Sequence, residues 1–305
     1  MRMKNVLVVG AGHVGAHIVQ QGISQNLPCH FYLLDLNESL TKAQTLDLKD
    51  GLMFSKNTTL KQVTQNECPV GDIDIVVITA GANQAPGETR LDLLAKNAEL
   101  VKNISMNLNG LKKSAVIVMV TNPVDILTKV ARECFDLPAN QIIGTGTMLD
   151  SARLRWRMAK LLGRSIHNVH GYVLGEHGDS EFVAWSTVSK HTTISPEEKK
   201  KLEQQVRGAA YEIIEGKGAT FFGIGASTVH ILDAIIHDSH AVIPVSTDYP
   251  YFTDETLRSI PLGTPSIIGE KGIEITPQLD LTEDELEQLA HSARQLLTAY
   301  QKLKS

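Results

Sequence analysis

Cysteine is scarce. The chain holds three, at positions 29, 68 and 134, an odd number with no Cys-x-x-Cys pair among its 305 residues. That spacing excludes a disulfide framework and a thiolate zinc centre, and a reducing compartment is expected. No run of about 18 apolar residues is present, so no membrane-spanning helix is expected. The opening residues lack the basic region, apolar core and small-residue cleavage site of a secretory signal, and pass directly into the apolar stretch Asn5–Val9. Positive charge is not in excess: 29 Lys and Arg against 34 Asp and Glu give a formal net charge of −5, which removes any general reason to bind nucleic acid. Internal repeats and low-complexity segments are absent too. What is present is a chain 42% hydrophobic and 21% charged, ordinary for a cytoplasmic enzyme with one large α/β unit or two lobes.

Short apolar runs at Val6–Val9, Phe31–Leu34, Ile73–Ile78 and Val116–Val120 alternate with helix-like stretches at Val14–Gln25, Glu38–Lys49 and Leu91–Leu108. Continuously apolar strands separated by helices imply a parallel sheet covered on both faces, and right-handed crossovers make it a Rossmann-type doubly wound α/β fold. From about Gly144 the pattern changes. Helices are expected at Thr147–Leu162, Pro196–Gly216, Ala219–Asp238 and Thr282–Leu303, the last opened by a Thr282/Glu285 capping box, with strands at His170–Leu174, Ala241–Ser246, Ser266–Gly269 and Gly272–Ile275. The expected division is a dinucleotide-binding domain over 1–144 and a mixed α+β substrate domain over 145–305.

Gly10-Ala11-Gly12-His13-Val14-Gly15 directly follows the first strand. In such a run the first glycine permits a tight turn, the second lets backbone amides approach a pyrophosphate, and the third allows close helix–strand packing. Phosphates would sit at the helix N-terminus, where unpaired N–H groups and the dipole favour negative charge. Alone the run is a tight turn and no more. Asp35 strengthens it by ending the second strand, twenty residues after Gly15. A carboxylate there accepts from both ribose hydroxyls of NAD and repels the 2′-phosphate of NADP.

Gly175-Glu176-His177-Gly178-Asp179 follows a strand, and an imidazole there suits proton transfer near neutrality. Asp150 and Arg153, three apart on an expected helix, share one face. The carboxylate could orient His177 and stabilise its imidazolium. The guanidinium could clamp a substrate carboxylate with paired hydrogen bonds. Taken singly, the same two residues are a surface ion pair worth a few tenths of a kcal/mol. The segment Ala80–Arg90, with glycines at 81 and 87, leaves the C-terminal end of a strand as a candidate lid. Arg90 at its far end could polarise a carbonyl oxygen, and Asn122 in Thr121-Asn122-Pro123-Val124-Asp125 could donate to the same atom. His230, His237 and His240 cluster in sequence, but no nearby cysteine or carboxylate completes a ligand set, so no metal site is expected.

These motifs, with GTGTMLDSAR at 144–153, resemble the L-lactate dehydrogenases of the lactate/malate dehydrogenase superfamily, in order and spacing over nearly the whole chain. The resemblance implies His177 as proton donor and acceptor, Asp150 as its partner, Arg153 as carboxylate clamp and Arg90 as polarising residue on a closing loop. It implies Asn122 and Thr220 as substrate contacts, and Val14, Gly81, Ala82 and Asn122 as cofactor contacts beside Gly10, Gly12, Gly15 and Asp35. Gln84 stands where the family discriminates substrates. Glutamine there is similar to lactate enzymes, and a second substrate carboxylate would enter without a counter-charge, which disfavours malate. Phe182–Val188 is also similar to the L-2-hydroxyisocaproate dehydrogenases, which take bulkier 2-oxo acids, so both substrates stay open. Arg155, about 200° around the helix from Arg153, and His170 match positions that bind fructose 1,6-bisphosphate in allosteric relatives. The resemblance further implies a homotetramer. The alternative of another class is a catalytically silent NAD-binding protein, which has no chemical need for His177, Asp150, Arg153 and Arg90 together.

Overall fold

The computed structural model describes residues 2–82, 87, 89–189 and 192–304. The first half runs β1 (Lys4–Val9), α1 (His13–Ser24), β2 (Cys29–Leu34), α2 (Glu38–Asp50), β3 (Thr58–Gln62), β4 (Ile75–Ile78), α3 (Arg90–Asn107), β5 (Val116–Met119), α4 (Val124–Cys134) and β6 (Ile142–Gly144). The second runs α5 (Met148–Leu162), β7 (Tyr172–Leu174), β8 (Phe182–Ala184), α6 (Pro196–Lys217), α7 (Phe222–His237), β9 (Ala241–Thr247), β10 (Leu262–Gly269), β11 (Gly272–Ile275) and α8 (Glu283–Lys304).

Strands β3-β2-β1-β4-β5-β6 lie side by side, every neighbouring pair parallel, in the strand order of a dinucleotide-binding sheet. The switch of direction from β1 falls between β1 and β4, and there the glycine run leaves the sheet. Alternation within β1 shows why both faces are covered. Leu7 and Val9 join a core with residues of α3, α4 and α8, whereas Val6 and Val8 join one with α1 and α7. The main sheet continues past Gly144: β9 meets β6 antiparallel at Gly144–Ser246, and β10 and β11 follow it antiparallel. A short β7–β8 pair is tied to β10 by the Gly175–Gly263 bridge and packs beneath α5 and α6 through Leu154, Met158, Val173, Val183, Leu202 and Val206. None of the described helices is long and apolar enough to cross a membrane.

Most expected elements appear, with ends moved by a residue or a few. The strand expected from His170 starts at Tyr172. His170 is therefore exposed ahead of the strand and is not one of its residues. Helix α4 and strands β3, β6 and β8 lie where the pattern suggested no element.

Candidate active site and cofactor cleft

Gly10 sits at φ +113°, a left-handed turn that reverses the chain between β1 and α1, and a Cβ there would stand 2.6 Å from Ala80 N. At Gly15 a Cβ would come within 1.9 Å of the Gly10 carbonyl, so helix and strand pack closer than a side chain allows. Gly12 differs: a Cβ there would meet nothing within 4 Å. The protein itself leaves that backbone bare, as close approach of a ligand to the N-terminus of α1 requires. Beside it opens a cleft of about 670 Å³, lined among others by Gly10, Gly12, Asp35, Thr79, Ala80 and Gly81. Asp35 does more than face this cleft. Its Oδ2 accepts from Ala11 N at 2.7 Å and its Oδ1 from Asn37 N at 2.9 Å, so the acid also pins the glycine turn. Val14, part-buried, packs against the core below the turn. An NAD-sized dinucleotide fits this donor set: bare amides at a helix end and an acid at the next strand end.

Buried Asn97 in α3 joins the cleft to the substrate side. Its Oδ1 accepts from Ala82 N at 2.8 Å and its Nδ2 donates to the Asn122 carbonyl at 2.9 Å. The Asn122 side chain is exposed at the rim. Thr220 is part-buried in the turn between α6 and α7. The next residue, Phe221, stacks on His13 of the glycine run with ring centroids 5.2 Å apart, which brings that turn over the start of α1.

The chemical centre lies where α5 passes the loop after β7. Asp150 Oδ2 is 2.6 Å from His177 Nδ1, and Asp150 Oδ1 accepts from Arg153 Nη1 at 2.8 Å. Asp150 is 1% exposed and Arg153 8%, so this is no surface pair. Burial opposes ionisation of Asp150, yet His177 and Arg153 hold its carboxyl below the usual range. Burial likewise opposes the imidazolium, but the Asp150 charge and hydrogen bond outweigh it and raise His177 to about 9. Behind the ring, buried Asp125 accepts from His177 N at 2.8 Å and from Ser246 Oγ at 2.6 Å. Burial raises the Asp125 carboxyl to about 6.

Arg90 lies at the surface. It occupies the first turn of α3, capped by Thr89 and Asp92, and its Nη1 bonds Asp179 Oδ2 at 2.7 Å. It is thus parked there, held by Asp179, which lies two residues after His177 in the same loop. Gln84 lies outside the described residues. Arg155 turns away from Arg153 as expected: its Nε donates to the Gly171 carbonyl at 3.2 Å and its guanidinium covers the Tyr172 ring. The absence of a carboxylate near His240 needs correcting. Topology brings Glu274 from β11 to 2.7 Å from His240 Nδ1, with Asp238 nearby. All three are exposed, and the hydrogen bond and charge of Glu274 raise the histidine's pKa.

Sequence reasoning missed Asp125, Asn97 and Glu181. Asp125 stood inside a quoted motif; only its pairing across 52 residues reveals its role.

Comparison with known proteins identifies the family. Residues 4–144 match the family described as the lactate/malate dehydrogenase NAD binding domain, and residues 147–305 its alpha/beta C-terminal domain. An L-lactate dehydrogenase of Kosmotoga olearia is 38% identical, over 98% of this chain and 96% of its own. One from Lactococcus lactis subsp. cremoris is 36% identical over 99% and 98%. The crystal structure of the minor L-lactate dehydrogenase from Enterococcus mundtii, in its ligand-bound form, superposes with a TM-score of 0.93 at 35% identity, covering 99% of both chains. With both halves matched and relatives above 30% identity along nearly its full length, the chain belongs to the lactate/malate dehydrogenase family.

Proposed function

We propose that this chain is an NAD-dependent L-lactate dehydrogenase that interconverts pyruvate and L-lactate, with residues 1–144 holding the dinucleotide and 145–305 most of the substrate site. The observation that carries the reading is one carboxylate, Asp150, bonded at once to His177 and Arg153. The bland account of that spacing, a solvated i,i+3 pair, does not survive its burial. The relatives' names support lactate over a bulkier hydroxy acid.

Gly10, Gly12, Val14 and Gly15 would hold the pyrophosphate end, Asp35 the ribose, and Gly81, Ala82 and Asn122 the side toward the substrate. When bound, the dinucleotide supplies or takes up the hydride. The chain's own residues do the rest. Arg153 holds the substrate carboxylate by paired hydrogen bonds and so fixes which face of the carbonyl is presented. His177 is kept protonated by Asp150 on Nδ1, which leaves Nε2–H free to give a proton to the carbonyl oxygen; in the reverse direction it takes that proton back. Asn122 and Arg90 stabilise charge on the oxygen, Arg90 after leaving Asp179. Thr220 and Gln84 bound the side-chain end of the pocket.

We assign Arg155 and His170, by the family resemblance, to a fructose 1,6-bisphosphate site between subunits of a homotetramer. Substrate saturation curves that do not move on adding this effector would remove that assignment. The decisive test of the main reading is NADH consumption with pyruvate, 2-oxoisocaproate and oxaloacetate in parallel. Pyruvate should give the highest kcat/KM. Faster turnover of 2-oxoisocaproate would make the chain an L-2-hydroxyisocaproate dehydrogenase, and no turnover of any would leave a silent NAD-binding protein.

A further inference from the structure

Glu181, between the catalytic loop and β8, is 7% exposed and takes no part in the chemistry described above. One of its carboxyl oxygens lies within 4.8 Å of both an Asp150 oxygen and a His177 ring nitrogen. Two buried carboxyls that close oppose each other's ionisation. Asp150 has two cationic partners in direct contact and keeps its charge. Among the described residues, the charged groups facing Glu181 come from three elements: Asp150 and Arg153 on α5, His177 on the loop, and Arg207 on α6. Arg207 donates to the Glu181 backbone carbonyl at 3.2 Å and not to its carboxyl.

We propose that Glu181 is a proton-gated wall of the substrate's carboxylate pocket: uncharged, it admits an anionic 2-oxo acid to Arg153, and ionised, it repels one. The proposal rests on the dehydrogenase reading above. Charge balance argues for it. With Glu181 uncharged, Arg153 and protonated His177 outnumber Asp150 by a single positive charge, which one substrate carboxylate cancels. With Glu181 ionised, these groups are already neutral while Arg90 still holds Asp179, so an entering anion meets no net positive charge in the buried pocket. Burial and the Asp150 charge raise the Glu181 carboxyl to about 8, so the gate operates near physiological pH.

The test compares wild type with Glu181→Gln, which keeps the shape and cannot ionise. From this group alone, the wild-type KM for pyruvate at pH 9 should stand about tenfold above its value at pH 6.5. The variant should lose that rise, its KM at pH 9 staying close to its own value at pH 6.5. The second readout is proton uptake when oxamate, an unreactive isostere of pyruvate, binds the wild-type enzyme with NADH at pH 8, by calorimetry in two buffers. Glu181 should take up about half a proton, against about a tenth from His177. A variant that follows the wild-type pH curve, or uptake no larger than the His177 share, would overturn the proposal. An active wild type with either of these results leaves the dehydrogenase reading standing. A wild type that reduces no 2-oxo acid removes that reading and this proposal together.

Discussion

Asp125 Oδ2 accepts a hydrogen bond from the backbone N–H of His177 at 2.8 Å, which ties the catalytic loop to the first turn of α4. Its other oxygen accepts from Ser246 on β9, so one buried acid joins both halves of the chain behind the imidazole. Truncation to alanine orphans two buried donors, each costing about 1–3 kcal/mol. Asp125→Ala should therefore lower Tm and cut kcat. Asparagine can accept from His177 N and donate to Ser246 Oγ, so Asp125→Asn should keep most of both. Thermal melts and kcat side by side check this. Equal damage from the two variants would mean the negative charge, not the hydrogen bonding, is what the site needs.

The raised pKa of His177 fixes the direction of its pH response. Reduction needs the imidazolium, so the His177 share of kcat/KM for pyruvate, which reports the ligand-free enzyme, should hold on the acid side and fall as pH climbs through about 9. Oxidation of L-lactate needs the neutral ring and should rise over the same interval. Asp150→Asn removes the charge that outweighs burial, so the alkaline limb of reduction should move to lower pH. The rate should drop on the order of 10²–10⁴-fold, as for loss of an oriented proton donor. KM should rise as well, because Arg153 loses its anchor. An Asp150→Asn enzyme with an unshifted limb would show that something else holds the ring charged.

The legible part of this protein is the part written in local order. Apolar runs of four to six residues, a glycine turn and an acid at the next strand end mark β1, α1 and β2 without any tertiary knowledge. Strand β6 is three residues long and has no period to detect. Strand β3 shows the alternation of an edge strand, but with Thr, Lys and Gln among its five residues it reads as polar chain. The site divides in the same way. Asp150 and Arg153 announce themselves by helical spacing. Asp125, Asn97 and Glu181 matter through partners that the fold alone brings near: Ser246 is 121 residues from Asp125. The Arg90–Asp179 contact joins residues 89 apart, and no local pattern could foretell it.

That contact carries its own consequence. Both side chains are more than half exposed, so the ion pair is screened and contributes about 0–1 kcal/mol. Little then opposes moving Arg90 to a substrate oxygen, while Asp179, also reached by the Tyr211 hydroxyl at 3.4 Å, competes for it. Asp179→Asn should leave Tm within about a degree and lower KM for pyruvate a few-fold. Arg90→Lys should also leave Tm alone but cut kcat on the order of 10²-fold, since a point charge does not replace a planar donor pair. A higher KM in Asp179→Asn would show that the pair guides Arg90 inward instead of restraining it.

Asp35 presents a conflict between specificity and structure. Removing its charge should relieve repulsion of a 2′-phosphate, and on that ground alone Asp35→Ser would favour NADPH. The same carboxylate accepts from Ala11 N at 2.7 Å and holds the glycine turn that faces the pyrophosphate. Serine is too short to make that bond and face the ribose as well. The turn should loosen, and affinity for both dinucleotides should fall, by about tenfold or more for NADH if one charge-assisted hydrogen bond of about 1.5–3 kcal/mol is lost. Asparagine keeps one acceptor oxygen at nearly the same reach, so Asp35→Asn can keep the Ala11 bond to the turn while it loses the charge and the bond from Asn37 N. Fluorescence titration of both variants with NADH and NADPH separates the two roles. If serine weakens NADH no more than asparagine does, the Ala11 contact is incidental and Asp35 serves the ribose alone.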